Sequence, residues 1–125
     1  SPLLDILRQI ADKKARLILT TDHGTIRVTN PSKIIGDRNT NTNLRYKQGK
    51  NLNYEKKDVY EVKNPLDIFL PRQHVSTAFV FAKEDLFFAY PNNYNYFVNY
   101  YRNTFQHGGI SLEEMLIPFI TLSNK

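Results

Sequence analysis

The sequence predicts an α/β domain with a mostly parallel sheet flanked by helices plus a β-hairpin, and three observations predict it. An amphipathic helical pattern runs directly into a strand within the first twenty residues. That strand is apolar on both faces, as strands of parallel sheets covered by helices are. Further along, two apolar runs flank Lys83-Glu84-Asp85, which reads as a hairpin.

Composition sets the limits. With 125 residues, 41% of them hydrophobic and 13% aromatic, the chain has material for one core. It has no cysteine, so disulfides and thiolate metal sites are excluded and any metal must be held by His and carboxylates. No apolar run reaches the length that spans a bilayer, and Ser1-Pro2-Leu3-Leu4-Asp5 lacks the pattern of a signal peptide. The expectation is a cytoplasmic protein without a membrane partner. The chain enters a helical pattern at once from Ser-Pro, so a fragment of something longer is expected. The formal charge of +5 favours anionic partners such as phosphate esters or nucleic acid.

The opening helix has Ser1 as a cap, Pro2 at the first helical position, and Leu3, Leu7, Ile10 and Ala11 on one face widened by Leu4 and Ile6. Lys13, Lys14 and Arg16 are expected in its last turn, where positive charge complements the helix dipole. Leu17-Ile18-Leu19-Thr20-Thr21 then reads as a central, buried strand. It runs into Asp22-His23-Gly24. Neighbouring side chains converge only where a strand has ended, and Gly24 permits that ending. An oxygen and a nitrogen donor just past a strand suit Zn²⁺, and the alternative is a capping Asp beside a surface His.

Thr25–Thr29 alternates like a strand of lower burial that Asn30-Pro31 stops. Ser32–Lys57 is polar and basic. It reads either as a solvated loop or as a funnel for a phosphodiester, with Tyr46 and Tyr54 as stacking surfaces. Within it Arg45 and Lys47 are the candidate substrate-binding residues, because Arg45 can offer a phosphate a bidentate fork. Val59–Val62 reads as a strand and Asn64–Pro71 as a short helix or turn. His74 fits a surface or capping role. Thr77–Ala82 and Leu86–Tyr90 form the predicted hairpin, core or interface. Tyr94, Phe97, Val98 and Tyr101 recur at helical spacing, for packing or for stacking on a base. Ser111 with Glu114 makes a capping box for a helix that stops before Pro118, followed by a strand at Phe119–Leu122. His107, followed by two glycines, is free to project into a cleft as a metal ligand or to do nothing special.

Two of these stretches carry a resemblance. Thr21-Asp22-His23-Gly24 resembles the second metal-binding motif of the alkaline phosphatase superfamily. His107-Gly108-Gly109-Ile110-Ser111-Leu112-Glu113-Glu114-Met115 with Ile117-Pro118 resembles the closing motif of its PglZ branch. Over essentially its whole length the chain is similar to the C-terminal part of a PorX-type response regulator. The resemblance implies the C-terminal part of an alkaline-phosphatase-like fold at residues 1–125. It also implies two zinc ions in the intact parent, with Asp22 and His23 on one and His107 on the other. The nucleophile and remaining ligands would lie upstream of Ser1; Thr20 and Thr21 fit structural roles better. The activity implied is a phosphodiesterase on nucleotide or oligonucleotide substrates, linked through an upstream receiver domain and sensor kinase to control of type IX secretion. The alternative is a catalytically spent module that binds nucleic acid or a transcription partner. A homodimer is a further expectation, since removing the rest of the sheet would expose apolar surface.

Overall fold

The structure, a computed structural model, describes residues 1–123. In chain order it contains α1 (Pro2–Ala11), β1 (Arg16–Thr20), β2 (Ile26–Arg27), β3 (Asn30–Ile35), β4 (Tyr46–Gly49), β5 (Asn53–Tyr54), β6 (Val59–Val62), β7 (Ala78–Ala82), β8 (Leu86–Ala89), α2 (Tyr94–Tyr101), β9 (Phe105–Gln106), α3 (Leu112–Met115) and β10 (Phe119–Ser123). Single 3-10 turns at Lys56–Asp58 and Pro65–Ile68 frame β6. The mixed α/β character is as predicted. No helix among the described residues is long and apolar enough to cross a membrane.

The sheets are mostly antiparallel, against the expectation of a mostly parallel one. β1 pairs with β10, β2 with β9, β3 with β5, and β7 with both β4 and β6, all antiparallel. Among the described residues only β3 and β8 run parallel, with Ser32 opposite Phe88. Apolar runs state how much burial a strand needs, and they do not state the direction of its partner. β1 illustrates this. Among the described residues it pairs with β10 alone, with Leu17 and Leu19 half-buried on one face and Ile18 50% exposed on the other, rather than at the centre of a sheet.

The predicted hairpin is also replaced. Lys83–Asp85 does make a tight turn, closed by the Leu86 N–H donating to the Lys83 carbonyl at 3.0 Å, with Glu84 at φ 44°. The flanking strands then part: β7 enters the β4-β7-β6 sheet and β8 the β5-β3-β8 sheet. Turn chemistry is local and was legible, whereas each strand found a better partner at long range. Asn30-Pro31 opens β3 instead of stopping a strand. Proline, lacking a donor, is tolerated at a strand's beginning. The helix α1 ends at Ala11, so Arg8 rather than Lys13, Lys14 or Arg16 is the basic residue of its last turn.

The polar stretch 32–57 folds because asparagine side chains complete its backbone hydrogen bonding. Asn41 accepts the Gln48 N–H at 2.8 Å and donates to the Tyr46 carbonyl at 3.2 Å, while Asn43 Oδ1 accepts the Arg45 N–H at 2.7 Å. Between the two three-stranded sheets, Ile34, Val59, Val80, Ala82 and Phe88 form one core cluster. Ile26, Val28, Phe87, Ala89 and Val98 form another, placing α2 over β8 and fixing the β2–β9 ribbon that carries the site.

Candidate metal centre

The β2–β9 ribbon explains how two distant histidines meet. Ile26 stands opposite Gln106, so continuing the antiparallel register carries His107 past the end of β9 toward the turn that precedes β2, where His23 lies. The ribbon is extended at its far end by the Val28 N–H donating to the Thr104 carbonyl at 3.0 Å and the Asn103 N–H to the Val28 carbonyl at 2.7 Å. At the near end the two imidazoles stack, their centroids 3.7 Å apart and their planes within 12°. The residues singled out from the two sequence motifs are thus brought together across more than eighty positions of chain.

The local chemistry of His23 is compatible with a ligand role. Its Nδ1 lies 2.8 Å from the Gly24 carbonyl, which can only accept, so Nδ1 donates there and Nε2 is the ring nitrogen left facing outward to Asp22. Metal-binding histidines are commonly held in this way, by a backbone carbonyl on the other ring nitrogen. Asp22 sits beside it. Its Oδ1 accepts the His23 N–H at 3.0 Å and lies 3.6 Å from His23 Nε2, while the side chain remains 87% exposed. Two donors of a tetrahedral zinc with bonds near 2.1 Å stand about 3.4 Å apart, so Asp22 and His23 fit one metal as a pair. The described residues contain no group of three His, Cys, Asp or Glu side chains suited to a metal. Asp22 and His23 by themselves therefore make up only part of a zinc set.

Glu114 holds the frame around these histidines. Ser111 and Glu114 form the predicted capping box of α3. The same carboxylate accepts the Gly109 N–H at 2.9 Å and the Ser111 N–H at 3.2 Å, tying down the loop after His107. It also receives both prongs of the Arg45 guanidinium, Nε at 2.9 Å and Nη2 at 3.0 Å. Burial pushes the Glu114 carboxyl up, but hydrogen bonds from Arg45, Ser111 and the Gly109 amide outweigh it and hold the group below the usual carboxylate range. Meanwhile the Glu114 backbone carbonyl accepts the Gly24 N–H at 2.8 Å, next to His23. That approach is so close that a Cβ on Gly24 would lie 1.9 Å from the Glu113 carbonyl oxygen. On the other loop Gly108 adopts φ +102°, and Asn43 Nδ2 donates to the His107 carbonyl at 3.3 Å.

The packing gives Arg45 and Lys47, expected at a substrate, other occupations. Arg45 is fully buried. Besides Glu114 it donates to the Leu86 carbonyl, and its own carbonyl accepts the Ala82 N–H at 2.8 Å. Lys47, 1% exposed, donates from Nζ to the Asn41 carbonyl at 3.0 Å and lies 4.4 Å from the centre of the Tyr90 ring. Burial pulls its ammonium down to about 8. Tyr46 is stacked with Phe79 and Phe81 rather than offered to a base. His74 hydrogen-bonds through its backbone to Thr77 and is not brought to the centre. A hollow of about 630 Å³ between the Gly36–Arg38 turn and Tyr90–Phe97 is lined by none of the site residues. What residue-by-residue reading missed is the second use of Glu114 and the part of Asn43. The signal was there in outline: a capping Glu five places after two glycines can reach back to their amides.

A family model described as the BREX system PglZ alkaline phosphatase-like domain matches residues 1–122. No curated protein gives a significant match to the chain.

Proposed function

Because the chain belongs to the PglZ family of alkaline-phosphatase-like domains, we propose that it supplies part of the active centre of a zinc-dependent phosphohydrolase. In this reading Asp22 and His23 bind one zinc and His107 helps to bind a second. The single observation that carries it is the meeting of the His23 and His107 rings, centroids 3.7 Å apart, which brings residues of both motifs to one place, as ligands of two neighbouring metals must be. When bound, two zinc ions lower the pKa of a nucleophile and stabilise the leaving oxygen. The chain's own contribution is positional. The Gly24 carbonyl sets the His23 tautomer, Asp22 adds an anionic donor beside it, and the β2–β9 register brings His107 alongside. On this reading the nucleophile and the other ligands are not among Asp22, His23 and His107 and have to be supplied by other residues.

A phosphodiester of nucleotide or oligonucleotide type is the proposed substrate. With Arg45 and Lys47 buried, that choice rests on the net charge of +5 rather than on those two side chains. The family description names a BREX system, whereas the motif resemblance points to a response regulator with a receiver domain, a sensor kinase and type IX secretion. The alkaline-phosphatase-like centre is common to both, and the regulatory setting is carried by the resemblance alone.

The test is metal analysis and hydrolysis by the intact protein. Wild type should bind two zinc ions and cleave a bis-aryl phosphodiester faster than an aryl monoester. His23→Ala and His107→Ala should each lose zinc and at least about a hundredfold in rate, as loss of metal-held electrostatic stabilisation does. Unchanged hydrolysis in both variants would remove the metal reading. The +5 charge favours one other class, a nucleic-acid-binding module. Salt-dependent oligonucleotide binding that survives His107→Ala, without hydrolysis by the wild type, would put it first.

A further inference from the structure

We propose that Arg45 and Glu114 are a paired positioning unit that presses the His107–Gly109 loop onto the His23 loop, so that metal capture depends on an ion pair that touches no metal. The inference rests on Asp22, His23 and His107 being ligands, and it adds residues that those motifs do not assign.

The His107 ring itself has no side-chain hydrogen bond among the described residues, so its place is set through its backbone. That backbone is held by a continuous chain of bonds from the core. The Leu44 carbonyl accepts the Phe88 N–H at 2.8 Å and the Arg45 carbonyl accepts the Ala82 N–H at 2.8 Å, anchoring Arg45 between β7 and β8. From there the guanidinium grips both oxygens of Glu114, and those oxygens take the amides of Gly109 and Ser111. Glu114 reaches the opposite loop as well, through its carbonyl on the Gly24 N–H. One residue therefore holds the loop just after His107 by its side chain and the residue after His23 by its backbone, with Asn43 bonding the His107 carbonyl directly.

Stability alone does not call for this arrangement. A buried ion pair is often replaceable by apolar residues of similar volume without loss of fold, so stability does not by itself account for it. Here a geometric task is visible: a planar, bidentate fork fixes the orientation of the carboxylate, and the carboxylate fixes the loop. A Cβ on Gly109 would come within 2.5 Å of Glu114 Oε2, so the loop is seated directly on the carboxylate.

The experiment measures three quantities in the intact protein: zinc affinity by chelator competition, the nuclear Overhauser contact between the His23 and His107 rings, and thermal stability. The variants are Glu114→Gln, Arg45→Lys and the double replacement Arg45→Met/Glu114→Leu. Val80→Ala, in the core away from the site, supplies loss of stability alone. The proposal expects each site variant to lose the ring contact and to weaken zinc binding by about 10–100-fold, the range seen when groups behind metal ligands are removed. The double variant should do so while still folded, and Val80→Ala should lower stability with ring contact and zinc affinity intact. Site variants that fold, keep the ring contact and bind zinc like wild type would overturn it. So would Val80→Ala producing the same losses. If wild type shows the ring contact but binds no zinc at the histidines, and the site variants still lose that contact, the positioning role stands and the metal reading falls.

Discussion

Gly24 and Glu114 show how much of this centre depends on single residues. At Gly24 a methyl group would meet the Glu113 carbonyl oxygen at 1.9 Å, and both partners are backbone, which cannot rotate away. Gly24→Ala should therefore cost about 1–3 kcal/mol in urea unfolding, the usual penalty for overpacking, and should displace His23. A change under about 0.5 kcal/mol would mean that the loop yields freely. Glu114 makes a second prediction, in pH. Its folded carboxyl titrates below its ordinary value of 4.5, so its stabilisation is complete above that value and is lost as pH falls through the lower folded value. Unfolding free energies at pH 7 and pH 3 should differ more for wild type than for Arg45→Met/Glu114→Leu. Equal pH dependence would show that the carboxyl is not held in its ionised form by the fold. Asp85 is shifted in the same direction by Thr29 and Asn30, which is why the comparison with the variant, rather than wild type alone, isolates Glu114.

Among the elements, the short ones matter most. β2 and β9 contribute two residues each to their ladder, yet their register decides which side chains face each other at the ribbon's end. The helix α3 has four residues, too few to persist alone, and is maintained by its capping box and by the contacts of Glu114. Ser111→Ala should lower stability by no more than about 1 kcal/mol, because the Ser111 hydroxyl has no hydrogen-bond partner of its own among the described residues, with the His23–His107 contact kept because Glu114 still holds Gly109. Loss of that contact in Ser111→Ala would give the cap, not the ion pair, the positioning role. The longer elements serve as a platform. β7 is buried along most of its length between β4 and β6, and Val98 on α2 closes the core over β8.

The whole molecule is uneven in its burial. The sheets around β7 and β8 enclose a dense core, while α1 buries no residue and β10 is exposed throughout. Leu3, Leu4 and Ile6 on α1, Ile18 on β1, and Phe119 and Ile120 on β10 all remain open to solvent. Strands with free edges and apolar faces associate. A chain of these 125 residues should accordingly show concentration-dependent association by light scattering, reduced by charged replacements at Phe119 and Ile120. A strictly monomeric particle at all concentrations would show that this surface is tolerated as it stands.

Residue types and their spacing sufficed for the opening helix, the strand at Val59–Val62, the aromatic helix, the capping box and the His-Gly motifs, because each depends on interactions within a few positions. That Asp22, His23 and His107 belong together came from the motif resemblance rather than from spacing, and the fold does bring His23 and His107 into contact. Partner choice was settled only in three dimensions. Whether an apolar strand runs parallel or antiparallel, and whether two strands beside a turn pair with each other, depends on contacts far apart in sequence. Those contacts turned an expected parallel sheet into mostly antiparallel ladders and separated β7 from β8. The fate of Arg45 was settled there too: a guanidinium suits a phosphate and a carboxylate equally by its chemistry, and only the fold brought Glu114 within 3 Å.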